Sequence, residues 1–503
     1  MFNKRTPDSF SKIFSTKDFP IGVELVSTRG YLGGDSSKKV LSFAEDLKDH
    51  QEIDWVSITD NAGGHPRMAP LALGMPILYG GKEVIIHLTG KDLNRHALES
   101  QLWLLASHGF HNVLALTGDH PGKIPHGRAK PVFDLDSIGI LALMETMNQG
   151  SALGDKHTTQ CNPTTQFEGG CTVNPHKPES IERHLQYLKL ENKILNGASY
   201  VIPQIGFNLD DLRELRTWMD QRPNEKVPLI GNVFVPSPMV LKLFADGKIP
   251  GVHLNQSTYQ KMMAKSSTMD SESPFLYYSA LWMIALKHIG YDGCYLGGLH
   301  NKRQLDALLN IYSSLQNEDV FPELNSWISE EPPQPPVKPS LVEQARLSIN
   351  ESVHDLAFSK GSILAKGLSK ICQNPSPTSP LYRSFHTIEK LSKGLAFDCK
   401  DCGECLLPQT AYICPESGCA KQLRNGPCGG SGDGKCEVRD HECLWSKAYR
   451  GMKHLNRENE LLTTKPTLLD HDLRGTSGWI NHWKQLKHPI NEETTCQSQL
   501  LPS

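Results

Sequence analysis

Short apolar runs alternate with amphipathic stretches from residue 21 to about residue 310, and this rhythm most constrains the fold. Eight runs rich in apolar and β-branched residues end in polar or glycine-containing turns: 21–27, 55–60, 83–90, 112–119, 167–174, 200–207, 227–234 and 293–299. Strands that alternate with helices form right-handed βαβ units and a parallel sheet. Eight such strands over roughly 280 residues predict an α/β fold, a (β/α)8 TIM barrel.

A doubly wound open sheet is the alternative architecture. Such a sheet usually carries a glycine-rich phosphate turn, GxGxxG, after its first strand. The sequence after the first predicted strand, VELVSTRGYLGG, lacks that pattern. The barrel is therefore favoured.

The remainder of the chain differs in composition from the barrel region. EEPPQPPVKP at 330–339 has little capacity for helix or sheet and indicates a stiff boundary. Residues 341–358 and 382–397 have helical patterns. We therefore expect a barrel over 1–320, a Pro-rich linker over 321–340, and a helical, Cys-rich, metal-binding domain over 341–503.

Eight of the 13 cysteines lie close together: Cys399, Cys402, Cys405, Cys414, Cys419, Cys428, Cys436 and Cys443. A dense cluster at one end of a large chain is more typical of a metal module than of a disulfide scaffold. The C-x2-C-x2-C spacing at Cys399, with Cys414 as fourth ligand, suits a [4Fe-4S] cluster. The other four form a second possible set for zinc or another cluster. The alternative is that several are structural thiols.

Composition excludes some classes of function. The net charge is −3 and no basic stripe is present, which argues against nucleic-acid binding. No apolar run approaches the roughly 18 residues needed to span a bilayer. The first residues, MFNKRTPDSFSKIF, lack the apolar core of a secretory signal, so we expect a cytoplasmic protein with no membrane partner.

Polar side chains interrupt or end six of the predicted strands: Glu24, Thr59, His87, Asp119, Asn174 and Gln204. In a (β/α)8 barrel the carboxyl ends of the strands build the active site. Glu24 is flanked by Val23 and Leu25, so desolvation should raise its pKa, as suits a general acid. The alternative is a carboxylate paired with a neighbouring Lys or Arg.

Several motifs occur in the order found in methylenetetrahydrofolate reductases: GVELVS, VSITDN, IIHLTG, LALTGDHP, VFDLDS, CTVNP and ENKILNGASYVIPQIGF. Over about residues 15–315 the chain resembles this family of flavin-containing barrels, in particular its acetogen-type members. The resemblance implies an FAD-dependent oxidoreductase that reduces 5,10-methylenetetrahydrofolate to 5-methyltetrahydrofolate in one-carbon and methionine metabolism.

The resemblance also implies roles for individual residues. Glu24 matches the glutamate that protonates the folate nitrogen, Asp119 the aspartate beside flavin and pterin, and Gln204 the glutamine that contacts pterin and nicotinamide. The positions that line FAD in the family correspond to Thr59, His87, Thr117, Gly118, Asp119, Phe133, Asp136, Asn174 and Lys193.

The Cys-rich region, including RNGPCGG and KCEV, resembles the small partner subunit of acetogen-type reductases. That resemblance implies iron–sulfur or zinc binding and electron input. The identity of the reductant stays open: NADH, NADPH, ferredoxin or a flavoprotein partner. The expected partners are a folate substrate, an electron-donor protein and further copies of the chain. Two other functions stay open: a folate-binding barrel without reductase activity, of the methyltransferase type, and an electron-transfer subunit of a larger complex. A colourless purified protein would favour the first of these.

Overall fold

The protein is described here from a computed structural model. It describes residues 10–124, 127–151, 163–222, 226–269, 273–329, 334, 337–372, 376, 378–462 and 465–485. Six residues of the Pro-rich stretch at 330–339 lie outside these residues, whereas most of the linker predicted over 321–340 is described.

Eight parallel strands form the centre of the molecule: β1 Ile21–Leu25, β2 Trp55–Ile58, β3 Glu83–Thr89, β4 Asn112–Leu116, β5 Glu168–Val173, β6 Ala198–Pro203, β7 Ile230–Phe234 and β8 Gly293–Gly297. They are hydrogen-bonded in the order β6-β5-β4-β3-β2-β1-β8-β7. The Val201 N–H donates to the Pro228 carbonyl at 2.9 Å, which nearly closes the ring between β6 and β7. The (β/α)8 barrel is thus confirmed. Seven of the strands lie within the runs predicted from the sequence, and β6 begins two residues before its predicted run of 200–207.

Large side chains fill the lower part of the barrel. Phe10, Trp55, Ile85, Leu114, Tyr200, Ile202, Ile230 and Tyr295 form one buried cluster. Phe10 comes from an N-terminal helix, Phe10–Thr16, and its backbone N–H donates to a Glu168 carboxylate oxygen at 2.7 Å. A second, larger core lies between the strands and the surrounding helices.

Helices cover the outside of the barrel because each presents an apolar face to the strands. They are Lys38–Asp49, Pro70–Tyr79, Arg95–Ser107, Ser137–Asn148, Ser180–Leu195, Leu209–Asp220, Pro238–Ala245, Gln256–Thr268, Pro274–Ile289, Lys302–Ser314 and Phe321–Asn325. A two-residue antiparallel pair, Lys123–Ile124 with Gly127–Arg128, follows β4 and was not foreseen.

The C-terminal region is helical, as the sequence predicts. Its helices are Leu341–Phe358, Ile363–Ile371, Pro380–Phe397, Pro415–Gly418, Leu444–His454 and Gly478–Gln485. In the described parts of the chain, none of the helices has the length and apolarity needed to cross a membrane.

Apolar packing joins the C-terminal region to the barrel. Leu444, Trp445 and Tyr449 share a buried cluster with Ile181 and Leu185 of the barrel helix Ser180–Leu195. This contact brings the cysteine-rich segment onto the rim where the strands end.

Candidate active site

A cavity of about 300 Å³ opens at the carboxyl ends of the strands. Nine of the residues predicted from the sequence line it: Glu24, Thr59, His87, Thr117, Gly118, Asp119, Asn174, Lys193 and Gln204. Phe133 and Asp136 line a neighbouring cavity of about 510 Å³. Ser137 lines the first cavity and Asp136 the second, so the two adjoin at these consecutive residues.

Glu24 points into the barrel from β1, on the same face of the strand as Gly22. Burial raises the pKa of the Glu24 carboxyl from its ordinary value of 4.5 to about 7, although the neighbouring Tyr295 hydroxyl partly opposes the rise. That hydroxyl is buried and has no hydrogen-bond partner of standard geometry. Glu24 is therefore a carboxyl group that can hold a proton near neutral pH.

The neighbouring strands contribute an uncharged pair and a buried hydroxyl. His87 Nε2 lies 2.7 Å from Ser57 Oγ, and burial lowers the pKa of His87 to about 4. His87 is thus neutral at physiological pH. The Thr59 Oγ1 atom is buried and has no hydrogen-bond partner in the structure, although it lines the cavity. A bound molecule or a water can supply the missing partner.

Asp119 follows the tight turn that ends β4. Gly118 occupies the left-handed region at φ 87°, where a residue with a side chain would be strained. The Asp119 carboxylate accepts a hydrogen bond from the Gly63 N–H at 3.0 Å, across the cavity rim. Its orientation therefore depends on two loops, one after β2 and one after β4.

Three further predicted residues line the same cavity: Gln204, Asn174 and Lys193. The Gln204 side-chain carbonyl accepts from the Ile205 N–H at 2.9 Å. Asn174 donates to the carbonyls of Gly251 at 2.7 Å and Gly429 at 3.2 Å. Lys193 donates to the Thr172 carbonyl, and burial lowers its pKa to about 8.

Asp136 is already fully engaged by protein groups. Its carboxylate caps the helix Ser137–Asn148 through the Gly139 N–H at 3.1 Å, and pairs with Lys189 at 3.1 Å. The Asn425 side-chain amide donates to it at 3.2 Å. Despite burial, these partners hold the pKa of Asp136 below its usual range.

Sequence reasoning missed several residues that line the first cavity: Asp60, Lys189, Lys421 and Glu437. Cys428, predicted as a metal ligand, also lines it. Lys421, Cys428 and Glu437 come from the Cys-rich region. Burial lowers the pKa of Lys421, but nearby Cys428 and Glu437 outweigh burial and hold it above the usual range. No sequence signal links these residues to β4, about 300 positions earlier.

The eight clustered cysteines are free thiols in the structure. Cys399, Cys402, Cys405 and Cys414 line one small cavity of about 30 Å³, together with Lys393 and Arg424. In the second predicted set, burial raises the pKa of the Cys419 thiol and the neighbouring Cys428 and Cys436 raise it further; burial and Cys428 do the same for Cys443. Among the described residues, no group of three or more His, Cys, Asp or Glu side chains is gathered as for a single metal ion.

Comparison with known families decides the relationship of the chain. A family model described as methylenetetrahydrofolate reductase matches residues 13–262. A second, described as methylene-tetrahydrofolate reductase C terminal, matches residues 380–470. The chain belongs to the methylenetetrahydrofolate reductase family. The first match covers most of the barrel and the second most of the Cys-rich region, so the resemblance to the family read from the motifs is confirmed.

Individual proteins resemble the chain only distantly. Among curated proteins, none matches the chain. A protein from Clostridium thermocellum that binds two copies of 5-methyl-5,6,7,8-tetrahydrofolic acid is 12 % identical, with a TM-score of 0.42 over 61 % of this chain and 97 % of its own. EDTA monooxygenase from Chelativorans sp. BNC1 is 10 % identical, with a TM-score of 0.37 over 61 % and 95 %. Neither likeness is strong enough to support an argument.

Proposed function

We propose that the protein is an FAD-dependent reductase of 5,10-methylenetetrahydrofolate that forms 5-methyltetrahydrofolate in one-carbon and methionine metabolism. One observation carries the proposal. A carboxyl group that can be protonated near neutral pH, Glu24, faces the same cavity as Asp119 and Gln204. Family membership supports the choice of reaction.

Glu24 would act as the general acid. Opening the five-membered ring of the substrate requires a proton on a folate nitrogen. With a pKa of about 7, Glu24 keeps a substantial fraction of its protons at neutral pH and releases them readily. A solvated glutamate would be ionised and could not serve.

The residues that would hold FAD fit a long cofactor. The two adjoining cavities offer room for an elongated molecule, and the unpartnered Thr59 hydroxyl offers a hydrogen bond. In this proposal the residues that would hold the cofactor are Thr59, His87, Thr117, Gly118, Asp119, Asn174 and Lys193 in the first cavity and Phe133 and Asp136 in the second. When bound, the reduced flavin would supply the hydride.

Asp119 and Gln204 would orient the substrate. They lie on loops after β4 and β6, so both can reach a flat ring that occupies the cavity between them. Their task is positioning, because a hydride transfer needs donor and acceptor atoms held in register.

The Cys-rich region would bind metal. We propose that Cys399, Cys402, Cys405 and Cys414 form one ligand set, since they share one cavity. Cys419, Cys428, Cys436 and Cys443 would form a second set. Thiolates select iron–sulfur clusters or zinc. The same proposal divides the chain into a barrel at 1–320, a linker at 321–340 and a metal-binding domain at 341–503. The first part of the linker, with Leu324 and Trp327, packs into the barrel core.

The proposal also includes a reductant, an oligomeric state and a compartment. The reductant would be NAD(P)H or an electron-donor protein, and the chain would act as a homo-oligomer in the cytoplasm. The free thiols among the described cysteines suit a reducing compartment.

An absorption spectrum of protein purified without oxygen tests the function first. We expect flavin bands, and their bleaching by reductant followed by recovery on adding 5,10-methylenetetrahydrofolate. A colourless protein that still binds 5-methyltetrahydrofolate would contradict the proposal and support a folate-binding barrel instead.

A further inference from the structure

A segment of the Cys-rich region, residues 421–437, lies over the cavity at the end of the barrel. We refer to it as the capping segment. Its backbone carbonyls accept hydrogen bonds from buried barrel side chains: Lys177 to Gly429 at 2.7 Å and also to Ser431, Gln186 to Cys428 at 3.0 Å, and Lys189 to Gly426 at 3.3 Å. Without these carbonyls the buried Lys177 and Gln186 side chains would lose hydrogen-bond partners, so the barrel rim is suited to receive this segment.

The capping segment places Lys421 against the turn that precedes Asp119. Its side chain is 4 % exposed. The Nζ atom donates to the Gly118 carbonyl at 2.8 Å and forms an ion pair with Glu437. It also lies 5.6 Å from the centre of the Phe133 ring. A long, charged side chain is thus fully enclosed by groups from both parts of the chain.

The contact with Gly118 has a direct consequence for its neighbour. Gly118 holds the left-handed turn that orients Asp119, and the ammonium group satisfies the carbonyl of that turn. The positive charge of Lys421 also interacts with the Asp119 carboxylate. Without Lys421, the Gly118 carbonyl would lose its partner and the Asp119 carboxylate would lose a neighbouring positive charge.

We propose that Lys421 is a positioning residue for the reductase site, so that the site is complete only when the Cys-rich region is docked on the barrel. The inference rests on the proposed function, and it assigns Lys421 a role through Asp119 rather than through the cysteines. The competing interpretation is that the Lys421–Glu437 ion pair only stabilises the position of the capping segment on the barrel. The two interpretations differ in whether the effect of losing Lys421 depends on Asp119.

Variants of the full-length protein separate these roles. Lys421→Met should lower kcat for methylenetetrahydrofolate by on the order of 10–100-fold, since misplacing a reacting group by about 1 Å can cost about 10²-fold. KM and flavin content should change less. Lys421→Arg should restore most of the activity because it keeps the charge and the donors. Lys447→Met is the matched control, because Lys447 also pairs with a glutamate, Glu343, in the same region but does not line the cavity.

Loss of Lys421 alone leaves a buried carboxylate unpaired, which can destabilise the fold. The double variant Lys421→Met, Glu437→Gln removes both charges. Its kcat should be lower than that of Glu437→Gln by the same factor as that of Lys421→Met is lower than the wild type's. Lys421→Met with Asp119→Asn should lose little beyond Asp119→Asn, because residues that act together are not additive.

The outcomes are distinct. Unchanged kcat in the folded Lys421→Met protein overturns the inference while leaving the reductase intact. If the loss of kcat in the Lys421→Met, Asp119→Asn double variant equals the product of the two single losses, Lys421 only holds the capping segment in place. That result also overturns the inference. A wild-type protein that has no flavin and no turnover overturns the proposed function itself, and this inference with it.

Discussion

The indole ring of Trp55 occupies the space where Gly22 would carry a side chain. The two residues are paired across β1 and β2, and a Cβ built on Gly22 would lie 2.0 Å from the Trp55 ring. Gly22 and Glu24 point into the barrel from the same face of β1, since side chains alternate along a strand. The apolar lower layer therefore ends just below the carboxyl group that we propose as the acid.

Gly22→Ala should destabilise the protein by about 1–3 kcal/mol or more, because the backbone or the indole ring must move to admit a methyl group. Urea unfolding measures the effect. Gly367→Ala is the control: Gly367 lies in the helix Ile363–Ile371 with no atom near its Cβ position. There the change should stabilise by about 0.5–1 kcal/mol. Equal effects at both sites would show that the barrel interior is not tightly packed around Trp55.

Glu24→Gln should leave flavin bound and lower folate reduction by on the order of 10²–10⁴-fold, because the amide keeps the shape of the side chain and removes its proton. Single-turnover kinetics resolve the two half-reactions. Reduction of the flavin by the donor should be far less affected, since that step needs no protonated folate. Normal turnover of the folate would show that another group is the acid.

The raised pKa of Glu24 predicts that the stabilities of the wild type and of Glu24→Gln depend differently on pH. The folded protein holds the Glu24 proton up to pH about 7, whereas the unfolded chain releases it near 4.5. The folded state therefore binds more protons between these values, and the free energy of unfolding of the wild type falls as pH rises through that window. Glu24→Gln lacks this dependence, so its stability relative to wild type should increase from pH 4.5 to 7 and then level off.

Urea titrations of both proteins across this range measure the difference. A difference that does not change with pH would mean that Glu24 is ionised in the folded protein, as a solvated or ion-paired group would be. In activity assays, wild-type kcat/KM should decline as pH rises through about 7, as expected for loss of an acid.

Asp119→Asn should slow folate turnover and shift the reduction potential of bound flavin upward. A carboxylate beside the flavin disfavours the extra negative charge of the reduced form; at roughly 4 Å and an effective dielectric constant of about 20, this is worth about 4 kcal/mol before screening. A redox titration against dyes of known potential measures it. An unchanged potential would place Asp119 away from the isoalloxazine ring.

Replacing Cys399, Cys402 and Cys405 together by Ser should remove metal from the first cysteine set while leaving flavin in the barrel. Serine is a poor ligand for iron or zinc. Metal analysis and flavin quantitation on one sample test this. Cys372→Ala is the control, because Cys372 packs against Ile480 and Trp483 in a separate apolar cluster. Unchanged metal in the triple variant would exclude this ligand set, and loss of flavin with the metal would contradict the proposed domain division.

Much of the fold could be predicted because its signals are local. The strand pattern around Val23 and the helix pattern of Ser180–Leu195 depend on residues that are close together in the chain. The sequence also predicted that four polar residues would lie together, because the carboxyl ends of parallel strands meet at one rim of a barrel. These residues are Glu24, His87, Asp119 and Gln204. No such rule could place Phe133 and Asp136 in a neighbouring cavity, because both lie on a long irregular connection after β4.

The sequence by itself determined the barrel, its helices and the polar rim of the candidate site. Only the tertiary structure decided that Lys421, Cys428 and Glu437 join that rim. Their position depends on packing of the helix Leu444–His454 against Ser180–Leu195 and on carbonyls of the capping segment that accept from Lys177 and Gln186. Contacts between segments some 250 residues apart in the chain have no periodic signature, because they are set by the shapes of two folded surfaces rather than by neighbouring residues.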